Sequence, residues 1–570
     1  MKKLLSLTLA LAALVTSAAG CAPGKKSYQA HTYTKKEINA YPLKDKTALT
    51  FECLFREDLP EIPFADAEDF LDQLFTEKVG FEKGENGKFN FTNGGYTLTV
   101  DAENDTVSCD CIEGFILTNH KIYSEDEEAG YIINNGFATV DEIKPFFVDL
   151  GKYEIDAAES GGRVYLPFCT LGDLFADTGC ALLYKNGELF FRSGADTLSA
   201  SGGQGKLEET RSKAMADFSY NELCLTMDSV YGLPSMSALS ESVGEKGFDE
   251  TLLSYSGATK KLRGLLRSED NREYCAGIRL LNCFLYDGGH TQMDYGYQRV
   301  MGQFGIPNAV GVAEYMLGGE ESELGEMQEA IGELAEMNER KSLLVAEKKA
   351  AYEQLELVSA ENGASLYRSS DTYFFDFNVF ENKIVKPFKD ALDYAAAHDA
   401  KNFVIDLSTN GGGSDGVVNY MLSVMLGEDT HLFKSTLSDS VFRTNILVDK
   451  NLDGEFDAKD NAVTYDFRFA VITSRYSYSN ANCMPCAAQD GGVAILGERS
   501  GGGSCIVTAH YYPDGCMYCV SGASKNIHPN GADVDGGTVP DTALPGAAES
   551  YSGFYDTDAI NTGIDAFYSK

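Results

Sequence analysis

Phe403-Val404-Ile405-Asp406-Leu407, followed at once by Asn410-Gly411-Gly412-Gly413, decides how the chain folds. Apolar residues in near-continuous sequence, without alternation, read as a strand buried on both faces, as in a parallel sheet covered by helices. The glycines fall where that strand meets a helix predicted near Val417 to Leu426. Their freedom lets backbone N–H groups approach a ligand oxygen closely. Phosphate binding, a plain tight turn and an oxyanion hole all fit such a cluster. A phosphate loop needs Lys-Ser/Thr after the glycines, but Ser414-Asp415 stands there, and a carboxylate repels phosphate.

The pattern extends in both directions. Tyr373 to Phe377 is β-like and Val385 to Ala397 helical. Downstream, a strand from Phe467 to Thr473 runs into Ser474-Arg475-Tyr476-Ser477-Tyr478-Ser479-Asn480-Ala481-Asn482, and a helix follows from Cys483 to Gln489. A serine at a strand-to-helix junction sits where the helix N-terminus and a neighbouring N–H can stabilise a developing oxyanion. Gly492 to Leu496 is another strand, ending in Gly497-Glu498-Arg499-Ser500-Gly501-Gly502-Gly503. The alternation of strands and helices sets the fold class as α/β.

Taken together, the Val404–Leu407 strand with its triple glycine, the Ser479 segment, Gly497 to Gly502 and Val539-Pro540-Asp541 resemble the tail-specific, or carboxyl-terminal-processing, serine peptidases. The resemblance implies a crotonase- or ClpP-like β-α superhelical core with Ser479 as nucleophile. It also implies an oxyanion hole made by the N–H groups of Asn480 and Gly412, and no cofactor for catalysis. One branch of the family places a lysine base where this chain has Gly503. The tricorn-like branch uses a histidine in an Asp-Gly-His-Thr/Ser segment far upstream, and this chain has Asp287-Gly288-Gly289-His290-Thr291. A neutral imidazole can take a serine proton near pH 7. His290 alone of the seven histidines lies in such a motif, with His510 and His528 in reserve. By the same resemblance a carboxylate orients the base: Asp535, with Asp533 as the alternative. Tricorn relays through a serine just before its histidine; Gly289 stands there, so Thr291 would have to substitute. Met301 to Leu366 shows no PDZ pattern.

Asp449-x-Asn451-x-Asp453-Gly454-Glu455-x-Asp457-x-x-Asp460 has oxygen ligands at the positions of an EF-hand or dockerin-type loop. The glycine permits the sharp turn that brings those groups and the Glu455 carbonyl onto one cation, so a structural Ca²⁺ is expected.

Before the catalytic region lie three others. Residues 1–21 combine Lys2-Lys3, an apolar run from Leu4 to Val15, and Ala18-Ala19-Gly20 before Cys21. The run is too short for a permanent span, and the pattern resembles a lipoprotein signal in which Cys21 is lipidated. That places the chain outside the cytoplasm, held at the bacterial membrane only through this anchor. In residues 22–204, Ile62-Pro63-Phe64 with Asp69-Phe70-Leu71 recurs as Leu166-Pro167-Phe168 with Asp173-Leu174-Phe175. Asn186-Gly187 marks a hairpin turn there. The region resembles two copper amine oxidase-like N-terminal stalk units, implying a spacer or cell-wall contact and no copper. Residues 205–369 read as a helical subdomain carrying His290, with an amphipathic stripe from Leu324 to Met337 and a helix from Lys341 to Leu357. Residues 370–570 are the catalytic core.

Of 570 residues, 47 are Lys or Arg and 86 Asp or Glu, a net charge of −39, so nucleic acid is no electrostatic partner. Fourteen cysteines leave 13 after Cys21; Cys483-x-x-Cys486 and Cys516-x-x-Cys519 have zinc-site spacing, but buried thiols or disulfides suit their helix and strand contexts better. The expected activity is hydrolysis of peptides or proteins. A non-catalytic surface binding protein on the same scaffold is the alternative. A crotonase-type acyl-CoA enzyme would leave the export signal and the paired serine and histidine unexplained.

Overall fold

The computed structural model describes residues 31–42, 47–119, 130–140, 142–176, 179–193, 206–308, 311–312, 339–427, 432–547 and 550–570. The signal with Cys21, the linker at 199–205 and the Leu324–Met337 stripe lie outside them. Among the described residues no helix is long and apolar enough to cross a membrane.

Seven strands form the catalytic sheet, in the order Glu356–Glu361, Ala364–Ser369, Thr372–Phe377, Asn402–Asp406, Arg468–Thr473, Ala494–Gly497, Thr542–Ala543. From Thr372–Phe377 onward every neighbouring pair is parallel, with Phe374, Val404 and Ala470 in register. The absence of alternation at 403–407 now has its cause. Phe403 and Ile405 point toward helices Val385–Ala397, Asp415–Leu426 and Asn480–Asp490, while Val404 points to the opposite layer with Leu344, Tyr352, Ile560 and Ile564. Each such side chain, fully buried, contributes about 1.5–3 kcal/mol.

Two boundaries differ from those read in the sequence. The catalytic sheet begins at Glu356 rather than 370, because the hairpin Glu356–Glu361/Ala364–Ser369 forms its edge. The helix before it ends at 352, not Leu357. The N-terminal region, moreover, is not two serial units. The repeated Ile-Pro-Phe and Leu-Pro-Phe segments are paired strands of one seven-stranded sheet, with Ala65 opposite Leu166. Strand Tyr33–Tyr41 lies inside this sheet, antiparallel to Leu49–Arg56 and parallel to Glu188–Ser193. The expected hairpin is present, with Asn186 and Gly187 both at positive φ.

Nor is the N-terminal region a detached stalk. Its strand Ile132–Thr139 leaves it to pair with Val441–Val448, in a five-stranded sheet that also holds Leu432–Ser435, Met517–Ile527 and Cys505–Tyr511. Residues 206–308 contribute the expected helices, from Lys213–Ser229 to Gln298–Phe304.

Candidate active site

Ser479 caps the helix Asn480–Asp490 at φ 59° and ψ −128°, a backbone region that non-glycine residues occupy only when the surroundings enforce it. Those surroundings are the two glycine segments. The Ser479 N–H donates to the Gly502 carbonyl (2.9 Å), and a Cβ on Gly412 would lie 2.7 Å from Ser479 Cβ and 3.1 Å from its Oγ. A Cβ on Gly503 would strike the Tyr478 ring at 2.7 Å. Side chains therefore cannot replace glycine at 412 or 503 without moving the serine. The glycine loop is itself fixed from the strand: Asp406 accepts from the N–H and hydroxyl of Ser408 and from Tyr352, and Ser477 Oγ donates to the Leu407 carbonyl.

His290 reaches this site through Tyr478, the neighbour of the serine. The two rings lie 4.7 Å apart, the Tyr478 hydroxyl donates to the Asp287 carbonyl (2.6 Å), and Gly288 packs on the ring with no room for a Cβ. The buried Asp287 carboxylate holds the loop by accepting from the N–H of Gly289 and Thr291 and the hydroxyls of Thr291 and Ser521. Gln292 then joins the loop to Cys519 through two backbone hydrogen bonds. The Thr291 hydroxyl is thus committed to Asp287, which rules out the relay to His290 proposed for it.

The imidazole is 6% exposed, and its Nδ1 is buried without a hydrogen-bond partner. Burial holds it below the ordinary histidine value, against the opposing fields of Asp287 and Asp535, so the neutral base form prevails at pH 7.

Asp535 bears on His290 through its charge, but its oxygens are taken by serines: one by the N–H and hydroxyl of Ser235, the other by the N–H and hydroxyl of Ser504. Burial raises its carboxyl, and these donors outweigh burial and hold it below the ordinary range. The expected direct contact with the base is therefore replaced by two serines that sequence reading missed. Ser504 directly follows the second glycine run, a position that could have drawn notice, whereas Ser235 has no local signal. Asp533 supports Asp535 rather than replacing it: one oxygen pairs with Lys525 at 2.6 Å and the other accepts from the Asp535 N–H (2.8 Å) and the Ser504 hydroxyl (3.4 Å).

Gly412 needs a second correction. Its N–H donates to Asn410 Oδ1 (2.8 Å), so it is not free to serve an oxyanion. Gly413 and Asn480 remain beside Ser479, lining a cavity of about 420 Å³, and the Asn480 side chain donates to the Gly413 carbonyl (2.8 Å). The far wall of that cavity comes from the N-terminal region, through Ile112, Glu113, Ile116 and Leu117 of one short helix.

Residues 375–544 match the family described as Peptidase family S41. This segment is an S41 peptidase domain. Among solved structures the chain is similar to the photosystem II D1 C-terminal processing protease, at 18% identity over 33% of this chain and 49% of that one, with a TM-score of 0.27. It is similar also to a lipoprotein from Streptococcus agalactiae (11% identity, 62% and 98% covered, TM-score 0.33) and to the tricorn protease (16%, 35% and 18%, 0.25). The chain spans about half the length of the D1 processing protease. No curated protein matches it.

The reserve histidines lie apart from the serine of the S41 domain. His510 is locked between Asp173 and Thr508, each at 2.8 Å, and His528 bonds Asp490 at 2.9 Å. Residues 449–460 form a loop between strands of the domain. Asp449 accepts from the N–H of Asp453 and Gly454, and Asp460 from Lys450 and Asp457. Gly454 takes φ +86°, as the turn requires. The donors are all oxygens, which suits a hard cation, but Lys459 Nζ now lies 2.9 Å from Asp453 and 3.3 Å from Asp457, where it neutralises both. All 13 cysteines among the described residues are free thiols, and neither Cys-x-x-Cys pair closes a site with the other.

Proposed function

We propose that the chain is a serine peptidase in which Ser479 attacks a peptide carbonyl and His290 takes its proton and returns it to the leaving amine. Asn480 and Gly413 N–H groups stabilise the oxyanion, replacing the Gly412 donor expected from sequence. Asp535 orients the site through Ser235 and Ser504 rather than by direct contact. The observation carrying this reading is the strained Ser479 at a helix N-terminus beside a cavity, with the neutral, buried His290 packed on the adjoining residue. No cofactor enters the reaction. The decisive test is cleavage of an unfolded protein substrate. The wild type is expected to cut it and Ser479→Ala and His290→Ala to lose at least 10³-fold in rate; cleavage by Ser479→Ala at the wild-type rate overturns the reading.

The substrate reading follows from the cavity. Its walls are apolar at Ile112, Ile116 and Phe433, they include two acidic residues, Asp415 and the buried Glu113, whose oxygens accept from the Ser438 hydroxyl and the Cys111 thiol, and none of the lining residues is Lys, Arg or His. Such a pocket suits a peptide side chain with an aliphatic stem and a cationic end, and it repels a terminal carboxylate. The N-terminal region then acts as part of the substrate site rather than as a spacer or cell-wall contact. We further propose export and anchoring through lipidated Cys21, and Ca²⁺ held by Asp449, Asn451, Asp453, Asp457, Asp460 and the Glu455 carbonyl after displacement of Lys459. A bound ion predicts a higher melting temperature with added Ca²⁺; an unchanged one refutes it.

A further inference from the structure

About two turns beyond Ser479 on the same helix lies Cys486, and one turn later Asp490. His528 faces both from the end of the strand Met517–Ile527, on the segment that continues to Asp535. Cys486 Sγ is 3.4 Å from His528 Nδ1 and 3.7 Å from Nε2, while Nδ1 is 2.9 Å from Asp490 Oδ2. One ligand atom from each residue lies within 4.8 Å of the others, and no second group of three or more His, Cys, Asp or Glu among the described residues converges in this way.

The shortest approaches do not suit a second nucleophilic triad. The thiol lies nearer Nδ1 (3.4 Å) than Nε2 (3.7 Å), and Nδ1 is the nitrogen that already bonds the carboxylate. A metal ion instead uses all three donors together. Donor atoms bound tetrahedrally to zinc at about 2.0–2.3 Å stand roughly 3.3–3.8 Å apart; the 3.4 Å sulfur–nitrogen spacing lies in that range, and the 2.9 Å nitrogen–oxygen hydrogen bond has to open by about 0.4 Å to admit the ion. Cys486 and Asp490 share a helix face, and the His528 segment is fixed by His528 N–H to Ala532 O (2.9 Å) and Gly531 N–H to His528 O (2.8 Å). The sulfur is buried, whereas the His528 and Asp490 side chains are 26% and 28% exposed, which leaves an entry path and room for a water ligand.

We propose that Cys486, Asp490 and His528 form a zinc site, completed by water, that clips the serine-bearing helix to the segment leading into Asp535. On binding, the Cys486 S–H bond is broken, its proton leaves to solvent and the thiolate bonds the ion. Thiolate, carboxylate and neutral imidazole then balance the charge of Zn²⁺. The site is structural, because the ion sits about two helical turns from the reacting serine.

The test uses the full chain, stripped of metal and given Zn²⁺ or Co²⁺ alone. One ion per chain is expected, with a thiolate-to-cobalt charge-transfer band and a raised melting temperature. Cys486→Ser and His528→Ala should each lose the band and the thermal shift, while Cys483→Ser on the same helix keeps both. Absence of stoichiometric metal, or a cobalt spectrum unchanged by Cys486→Ser, overturns the proposal. Ser479→Ala protein should bind zinc equally, so this outcome is independent of whether the chain is a peptidase.

Discussion

Gly412→Ala is the sharpest single-atom perturbation of the site. The new methyl would sit 2.7 Å from Ser479 Cβ, 2.9 Å from the Tyr478 carbonyl and 3.1 Å from Ser479 Oγ, on a backbone at φ +108°. The positive φ costs an alanine about 1–2 kcal/mol. Overpacking against fixed backbone adds about 1–3 kcal/mol, so a loss of about 2–5 kcal/mol is expected in urea unfolding. What relaxation remains must move the serine, and a displacement of about 1 Å at reacting atoms slows chemistry by about 10²-fold. Acylation of Ser479 by a fluorophosphonate, followed under pseudo-first-order conditions, reads that loss directly. Gly411→Ala is the control: nothing lies within 4 Å of its Cβ and its φ is not left-handed, so it should match the wild type in both assays. Wild-type stability and acylation rate in Gly412→Ala would refute the close approach on which this reasoning rests.

Asp287→Ala strips four donors of their buried acceptor, and should cost about 3 kcal/mol in unfolding while freeing the His290 loop; an unaltered urea midpoint contradicts that. The acid limb of kcat/KM should fall below pH 6.5, the ordinary histidine value, because burial disfavours imidazolium at His290. The same depressed value makes protonation favour the unfolded chain. This contribution to stability is whole above pH 6.5 and is lost as pH falls through the folded value, as urea midpoints measured across that range should show. Glu113→Gln should lower kcat/KM for lysine- or arginine-containing peptides relative to leucine analogues by about 10-fold, the direction given by removing one of two cavity carboxylates.

The parts of this fold visible in sequence are those in which neighbours along the chain decide the outcome. Phe403 to Leu407 had to be a doubly covered strand, and Asn186-Gly187 had to turn. Glu356 and Leu357, expected at the end of the helix from Lys341, open instead the edge strand Glu356–Glu361, whose side chains are mostly exposed and carry no alternation, although Asn362-Gly363 supplies the same hairpin signal, with both residues at positive φ. The pairing of Ile132–Thr139 with Val441–Val448 links residues some 300 positions apart and leaves no mark in either segment. The site divides in the same way. Ser479 and the His290 loop announce themselves by motif, whereas the serines around Asp535, the engagement of Gly412 by Asn410 and the cavity wall from Ile112 to Leu117 arise only when distant segments meet.

Tandem mass spectrometry of the fluorophosphonate-treated full chain bears most directly on the central claim. The adduct is expected on Ser479 alone, forming at least 10³-fold more slowly in His290→Ala of unchanged fold. Modification of another serine, or equal rates in the two proteins, would contradict it.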